Sequence, residues 1–309
     1  MFSLAHLTDP HIGPLPPVVL RQLLNKRITG WINWRRGRRY RHNMEILVEL
    51  LADIRDRKAD HIACTGDICN LGLPLEWEMA RRFLEDLGSP EDVSFVPGNH
   101  DAYTSDSLDG LLRACAPYMV GDATDGVHFP YLRHRGKVAL IGLSSAIPTG
   151  PFKAYGRLGT SQLRELEAML NDLGQDEDCF RVVLIHHPPY VGSTLKSRSL
   201  MDAASLEKVI AGAGAELVLF GHNHKASLAY LPGPKGQIPV VGAASASASA
   251  ESVRSRGSYH LFHIDRNNNG FTIELESRGV TQTGTIGLLG RTLIFPAPEE
   301  LNEPITTMP

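Results

Sequence analysis

Val93-Ser94-Phe95-Val96-Pro97-Gly98-Asn99-His100-Asp101 is a short apolar run that breaks at a Pro-Gly pair and then presents an amide, an imidazole and a carboxylate in succession. A run of this length bounded by turn residues reads as a buried β-strand, and α/β proteins assemble their sites at the carboxyl ends of such strands. Four other segments have the same form. Apolar runs at 2–7, 61–65, 181–185 and 217–220 lead into Asp9-Pro10-His11, Gly66-Asp67, His186-His187-Pro188-Pro189 and Gly221-His222-Asn223-His224. The five endings are remote in sequence, but if their strands are neighbours they converge in space.

The intervening segments supply the crossovers. Ile46, Leu47, Leu50, Leu51 and Ile54 recur at helical spacing behind an Asn43 cap, and 75–87 repeats the pattern. The chain then changes character. Residues 129–133 and 137–143 flank a turn at Gly136 and read as a hairpin, followed by a helix over 160–173 capped by Thr160 and another over 205–213. Residues 226–231, 239–241, 259–264 and 271–276 read as antiparallel strands, the last two joined by an Asn/Gly-rich turn. The simplest architecture is α/β: two mixed β-sheets flanked by helices, a four-layer αββα sandwich. Residues 1–294 are expected to form one catalytic domain carrying an insertion at 14–43. Residues 295–309, with Pro296, Pro298, Pro304 and Pro309, are expected to be an extended tail without its own core.

Composition narrows the class. A chain of 309 residues that is 42% hydrophobic can bury a large core. Cys64, Cys69, Cys115 and Cys179 are too few and too irregularly spaced for a disulfide framework or zinc finger, which fits a reducing compartment. Asp9 follows the N-terminus too closely for a cleavable leader, and no apolar run approaches the roughly 20 residues of a membrane span. A cytoplasmic location is therefore expected. The net charge of −3 conceals an asymmetry: residues 14–44 hold Arg21, Lys26, Arg27, Arg35, Arg36, Arg38, Arg39 and Arg41 and no acid.

The five endings carry the chemistry. A hydrolytic pair of cations roughly 3.5–4 Å apart needs a bridging carboxylate, neutral imidazoles to complete each coordination sphere and an open position for hydroxide. Singly, an Asp-x-His or a Gly-Asp is common, and a lone histidine at a strand end is usually structural. Five in this order are a far more specific signal. The ordered set from Asp9 to His224 resembles the calcineurin-like metallophosphoesterase superfamily, nearest the bacterial cyclic-nucleotide and glycerophosphodiester phosphodiesterases, also through Ile141-Gly142-Leu143-Ser144-Ser145. That resemblance implies that Asp9, His11 and His224 hold one metal, that Asn99, His186 and His222 hold the other, and that Asp67 bridges them. His100 would remain free of metal to bind a phosphate oxygen or protonate the leaving alkoxide, with Asp101 fixing its tautomer. A metal-bridging hydroxide would be the nucleophile. Carboxylate, imidazole and amide donors without thiolate suit Mn²⁺, Fe or Zn²⁺, and no organic cofactor is called for.

Neighbouring residues fit plainer roles. Strand alternation turns His187 away from His186, into a supporting position. Asn70 either orders the loop after Asp67 or closes a turn, and Cys64 and Cys69 serve as small buried hydrophobes. The Ala/Ser run at 242–252 could wall the site.

The basic insertion is the departure from compact relatives. Leu20, Leu23, Leu24, Ile28 and Trp31 repeat at helical spacing, so one reading is a helix packed on the body with its arginines solvated. The others are an electropositive wall for a polyanionic substrate, a surface for anionic lipid, or a nucleic-acid contact. The last ranks lowest because no nucleic-acid-binding module is recognisable. The leading function is a dinuclear metal-dependent phosphodiesterase acting on a small phosphate ester, with cyclic nucleotides as one candidate. Alternatives are pyrophosphate hydrolysis on a lipid-linked sugar nucleotide and a metal-binding scaffold without catalysis. Self-association stays open.

Overall fold

The computed structural model describes residues 1–249, 253–268 and 270–296. Two six-stranded mixed sheets stack face to face. The first has the strand order β12 (Ile286–Phe295), β11 (Gly270–Val280), β10 (Ser258–Asn267), β1 (Phe2–Leu7), β2 (His61–Cys64), β3 (Val93–Phe95). The second runs β4 (Tyr131–Arg135), β5 (Val138–Gly142), β6 (Phe180–Leu184), β7 (Leu217–Phe220), β9 (Gly236–Gly242), β8 (Ser227–Gly233). β1, β2 and β3 are mutually parallel, as are β5, β6, β7 and β9, so all the ligand-bearing strands end at one rim.

Period-two alternation in the second sheet separates two cores. Leu140, Val182, Leu184, Leu217 and Leu219 face the first sheet, within the larger core. Ile141, Val183, Val218 and Phe220 face outward onto α5 (Thr160–Leu173) and α6 (Ala203–Ala213) through Leu166, Leu170, Leu206 and Ile210. The outer face of the first sheet is covered by α2 (Met44–Arg57) and α3 (Pro74–Leu87), through Leu47, Leu50, Phe83 and Leu84. Helix, sheet, sheet, helix is the layered order expected from sequence.

Several local readings need correction. The Asn43 side chain caps α2 by accepting from Glu45 N at 2.8 Å, but α5 is preceded by Gly159 at φ 81°, and Thr160 is its first helical residue. No described side chain caps it; the Asp202 carboxylate instead fixes the approach to the helix, accepting from Leu158 N and Gly159 N. The insertion is not one helix: a 3₁₀ turn at Leu20–Leu23 stops, and α1 (Arg27–Arg36) begins where Asn25 Oδ1 accepts from Arg27 N. Only Leu23 of the aliphatic repeat is buried, while Trp31 packs on Leu71, Leu73 and Tyr103. Nor are all its arginines solvated. Arg27 is buried, donating to the carbonyls of Leu71 and Gly72, to Ser107 Oγ and to Asp106. Residue 295, placed in the tail by sequence, ends β12 opposite Ile273; residues 297–309 lie outside the described residues.

A network between layers gives a pH test. Asp53 on α2 accepts from Tyr259 Oη at 2.6 Å and from Arg278 of β11 at 2.6 and 2.8 Å. Burial alone would raise its pKa, but the bonds from Arg278 and Tyr259 outweigh that and hold it below the usual carboxylate range. A depressed folded-state pKa stabilises at pH above the unfolded value of about 4 and loses that contribution as pH falls through the folded value. In urea unfolding, Asp53→Asn is therefore expected to lower stability near neutrality and to flatten its decline below about pH 4 relative to wild type. An unchanged acid limb would count against the pairing.

Candidate metal centre

All seven residues singled out as ligands meet at the shared rim. Asp9, His11 and His224 form one group: His224 Nε2 lies 3.1 Å from Asp9 Oδ1 and 3.3 Å from His11 Nε2. His186, His222 and Asn99 form the second, with His186 Nε2 3.2 Å and His222 Nδ1 2.7 Å from Asn99 Oδ1. Asp67 stands between them, its Oδ2 3.8 Å from His11 Nε2 and 3.5 Å from His186 Nε2. Spacings of this size between donor atoms leave room for cations among them.

The backbone is bent to achieve this. Asp9, His11, Asp67, His222 and His224 have φ of 51°, 40°, 56°, 70° and 52°, the left-handed region that non-glycine residues seldom occupy. Such strain persists only where the surroundings over-determine it, and it gathers at functional sites. Two glycines permit the approach. A Cβ on Gly98 would lie 2.2 Å from Asp67 Oδ1, and one on Gly221 would lie 2.0 Å from Thr8 Oγ1 and 2.7 Å from Asp9 Oδ2.

Surrounding bonds settle which atoms face inward. His11 Nδ1 is 3.0 Å from the Cys69 carbonyl and His186 Nδ1 is 2.6 Å from that of Thr65, so each N–H donates outward and Nε2 keeps its lone pair for the centre. Asp9 Oδ2 accepts from Thr8 Oγ1 and His222 N, leaving Oδ1 for the histidine pair. Buried oxygens and neutral nitrogens at these spacings fit divalent metal ions.

Electrostatics agree. Burial would raise the Asp67 pKa, but the imidazoles of His186, His100 and His11 hold it well below the carboxylate range. Burial likewise opposes charge on His186, yet Asp67 and Asp9 lift its pKa to about 9. Burial and then Arg38 push His100 and His42 down to about 3, and burial with His186 does the same to His222.

Asp101 does not orient His100. Its carboxylate turns inward and accepts from the backbone N–H of Asp67, Gly98 and Cys69 at 2.7, 2.8 and 2.9 Å, tying together the two loops that carry Asp67 and Asn99. Burial and the charge of Asp67 raise its pKa to about 7. The His100 tautomer is set by the Asn70 carbonyl, 2.6 Å from Nδ1. Asn70 therefore does order the loop, its own side chain donating to the Ile12 carbonyl and its N–H to Glu76. His187 has a supporting place between Ser145 Oγ and the Ala154 carbonyl, its ring 4.5 Å from that of His222. Cys64 and Cys69 are buried free thiols. The Ala/Ser run does wall the centre: Ser245 Oγ donates to the Asp9 carbonyl at 2.6 Å.

Two residues escaped the sequence reading. Arg38 reaches in from the insertion and donates to His100 Nε2 at 2.7 Å and to His11 Nε2 at 2.9 Å. It has no carboxylate partner within 4.0 Å among the described residues, and a cation on His11 Nε2 would free it for another acceptor. His42 sits 4.7 Å, ring to ring, from His11, is held by Ser247 Oγ, and groups with His11 and His224 as a possible third donor. Only the charge run hinted at Arg38; nothing in the motif pattern marked His42. An open cleft of about 490 Å³ adjoins them, floored by His11, His42 and Asn70 and walled by Trp34, Arg39 and Tyr40.

Residues 2–226 match the Calcineurin-like phosphoesterase family. The chain belongs to that family. It is 26% identical over 256 residues to glycerophosphodiester phosphodiesterase GpdQ of Enterobacter lignolyticus, covering 76% of this chain and 78% of that one. It is 28% identical over 229 residues to a probable cyclic nucleotide phosphodiesterase of Synechococcus, covering 72% and 74%. A dimetal phosphatase from Danio rerio shares the fold with a TM-score of 0.58 at 12% identity, over 94% of this chain and 99% of the other. This calcineurin-like phosphoesterase is thus a phosphoric ester hydrolase whose family implies divalent metal ions, and its Asp/His groups are placed to bind them. No described helix is long and apolar enough to cross a membrane.

Gly221→Ala should push Asp9 out of position without disturbing the cores. The expected result is a native-like circular dichroism spectrum with at least a tenfold loss of phosphoesterase turnover and reduced bound metal; unchanged turnover would show that the close approach is dispensable.

Proposed function

We propose that the chain is a dinuclear metal-dependent phosphodiester hydrolase. The observation that carries this reading is the placement of the Asp67 carboxylate between two donor groups, each of which combines residues from strand ends of both sheets. Asp9, His11 and His224 would hold one cation, Asn99, His186 and His222 the other, with Asp67 shared. When bound, the pair would activate water as nucleophile and neutralise charge on the phosphoryl oxygens. Mn²⁺, Fe and Zn²⁺ all suit these donors.

The chain's own residues supply the rest. His100, with its Nδ1–H fixed on the Asn70 carbonyl, presents Nε2 toward the centre as an acceptor for Arg38; once Arg38 turns to the substrate, Nε2 would have to take up a proton before it donated one to a phosphoryl oxygen or the departing alkoxide. Arg38 is half-buried beside it, and its planar guanidinium matches two phosphate oxygens. Trp34 and Tyr40 offer the ester group an aromatic wall, which accommodates a nucleoside or another apolar alcohol. Cyclic nucleotides are one such substrate. The same wall, built from the insertion, also favours a second class, the pyrophosphate bond of a lipid-linked sugar nucleotide.

The roles separate by measurement. Asn99→Ala and His222→Ala are expected to lower bound metal below two equivalents, whereas His100→Ala keeps two and loses most of kcat toward bis(p-nitrophenyl) phosphate. An emptied metal position in His100→Ala would overturn its assignment. Arg38→Ala should raise KM about tenfold or more with metal content intact, and Arg38→Lys should recover only part of it because the two-pronged geometry is lost. An unchanged KM in Arg38→Ala would remove Arg38 from the substrate site. A panel of cyclic nucleotides, open phosphodiesters, monoesters and sugar-nucleotide lipids, with the preferred metal added, identifies the substrate.

A further inference from the structure

The rim around the centre combines two properties seldom found together on a soluble surface. The first is apolar exposure. On the insertion, Leu20 and Leu24 are 84% and 85% exposed, and Ile28 and Ile32 continue the same four-residue step along α1, partly exposed. Across the mouth, Phe152 is 88% exposed on the loop that follows β5, and Val191 and Leu195 stand out from the loop after β6. Hydrogen bonds join these segments. Lys26 Nζ donates to Thr149 Oγ1 and the Lys153 carbonyl, tying the insertion to the 149–153 loop, and Ala154 N donates to the Ser197 carbonyl, tying that loop to the next.

The second property is charge. Residues 14–44, 144–159 and 186–201 contain no aspartate or glutamate at all, although the chain as a whole is acidic. Exposed Arg21, Arg35, Arg36, Lys153, Lys196 and Arg198 are interspersed with the aliphatic tips.

We propose that this rim docks on the surface of an anionic lipid bilayer, with the exposed aliphatic and aromatic tips entering the headgroup boundary and the basic residues facing lipid phosphates. A basic surface without counter-charges is attracted to anionic leaflets, and apolar tips add burial that charge alone cannot give. Nucleic acid would satisfy the arginines but not the leucines, since a phosphate backbone offers no apolar phase. Docking points the cleft and the metal centre toward the membrane. The inference does not depend on the substrate proposed above, because vesicle binding is read without turnover.

The test is co-sedimentation of the full chain with vesicles of phosphatidylcholine alone or with about one-third phosphatidylglycerol, in low and in high salt. The expected result is binding to the anionic vesicles only, weakened but not abolished by high salt. Leu20→Asp combined with Leu24→Asp should reduce it about tenfold or more while turnover of bis(p-nitrophenyl) phosphate stays at the wild-type level, which also reports on folding. Leu195→Asp, on a separate loop, should weaken binding independently. The proposal is overturned by absence of binding to anionic vesicles at low salt, by equal binding to neutral ones, or by aspartate variants that bind like wild type. It is equally overturned if duplex DNA competes the protein off vesicles and binds the Leu20→Asp/Leu24→Asp variant as well as wild type.

Discussion

The structure turns on one buried carboxylate. Asp67 lies 2% exposed at the meeting point of the two sheets, with His11 on one side and His186 on the other, and its Oδ1 accepts from the backbone of His100 at 2.6 Å. An ionised carboxylate removed from water is unstable unless positive charge is brought to it. The surrounding chain answers with imidazoles, that of His186 raised in pKa by Asp67 and Asp9, and with the guanidinium of Arg38 nearby. On the proposed function two cations would answer the same demand more fully, and the imidazole nitrogens proposed to hold them already face inward.

Much of the local architecture reads as a means of holding that arrangement. The parallel strands of both sheets end at one rim, the ligand residues adopt left-handed backbone there, and glycines beside them let the loops touch. Asp101 clamps the loops of Asp67 and Asn99, and Glu76, buried at the start of α3, accepts from the backbone of Asn70, Leu71 and Leu73 to fix the segment after Asp67. Neither acid touches the centre with its own oxygen atoms. Both hold the shape in which the centre forms, and the basic insertion closes over it through Arg27, Trp31 and Arg38.

What could be read in advance follows from this economy of design. Each candidate ligand follows a short, largely buried strand, so apolar runs ending in Asp, Asn or His marked the strands and brought those residues to one rim; His187 has the supporting place expected of it, but beyond the end of β6 alternation does not turn it away, and its ring lies against that of His222. The tautomer partner of His100 was misread because a carboxylate next in sequence looks like the natural acceptor, whereas the backbone turns Asp101 inward and leaves the Asn70 carbonyl in its place. α4 (Ser105–Ala114) and β12 gave weak signals: the helix is short and carries Gly110 against Trp77, and the strand is a glycine-containing edge paired only with β11. Arg38 and His42 enter the site through tertiary folding of an irregular segment, and spacing along the chain carries no trace of that.

The central claim is that two cations share Asp67, and electron paramagnetic resonance of the Mn²⁺-loaded protein tests it most directly. At roughly 3.5–4 Å through a common carboxylate, two manganese ions are magnetically coupled. The account predicts a coupled-pair spectrum that saturates at two equivalents and gives way to isolated-ion signals in Asp67→Asn. A single isolated Mn²⁺ at saturation, or a coupled spectrum that survives Asp67→Asn unchanged, would contradict it.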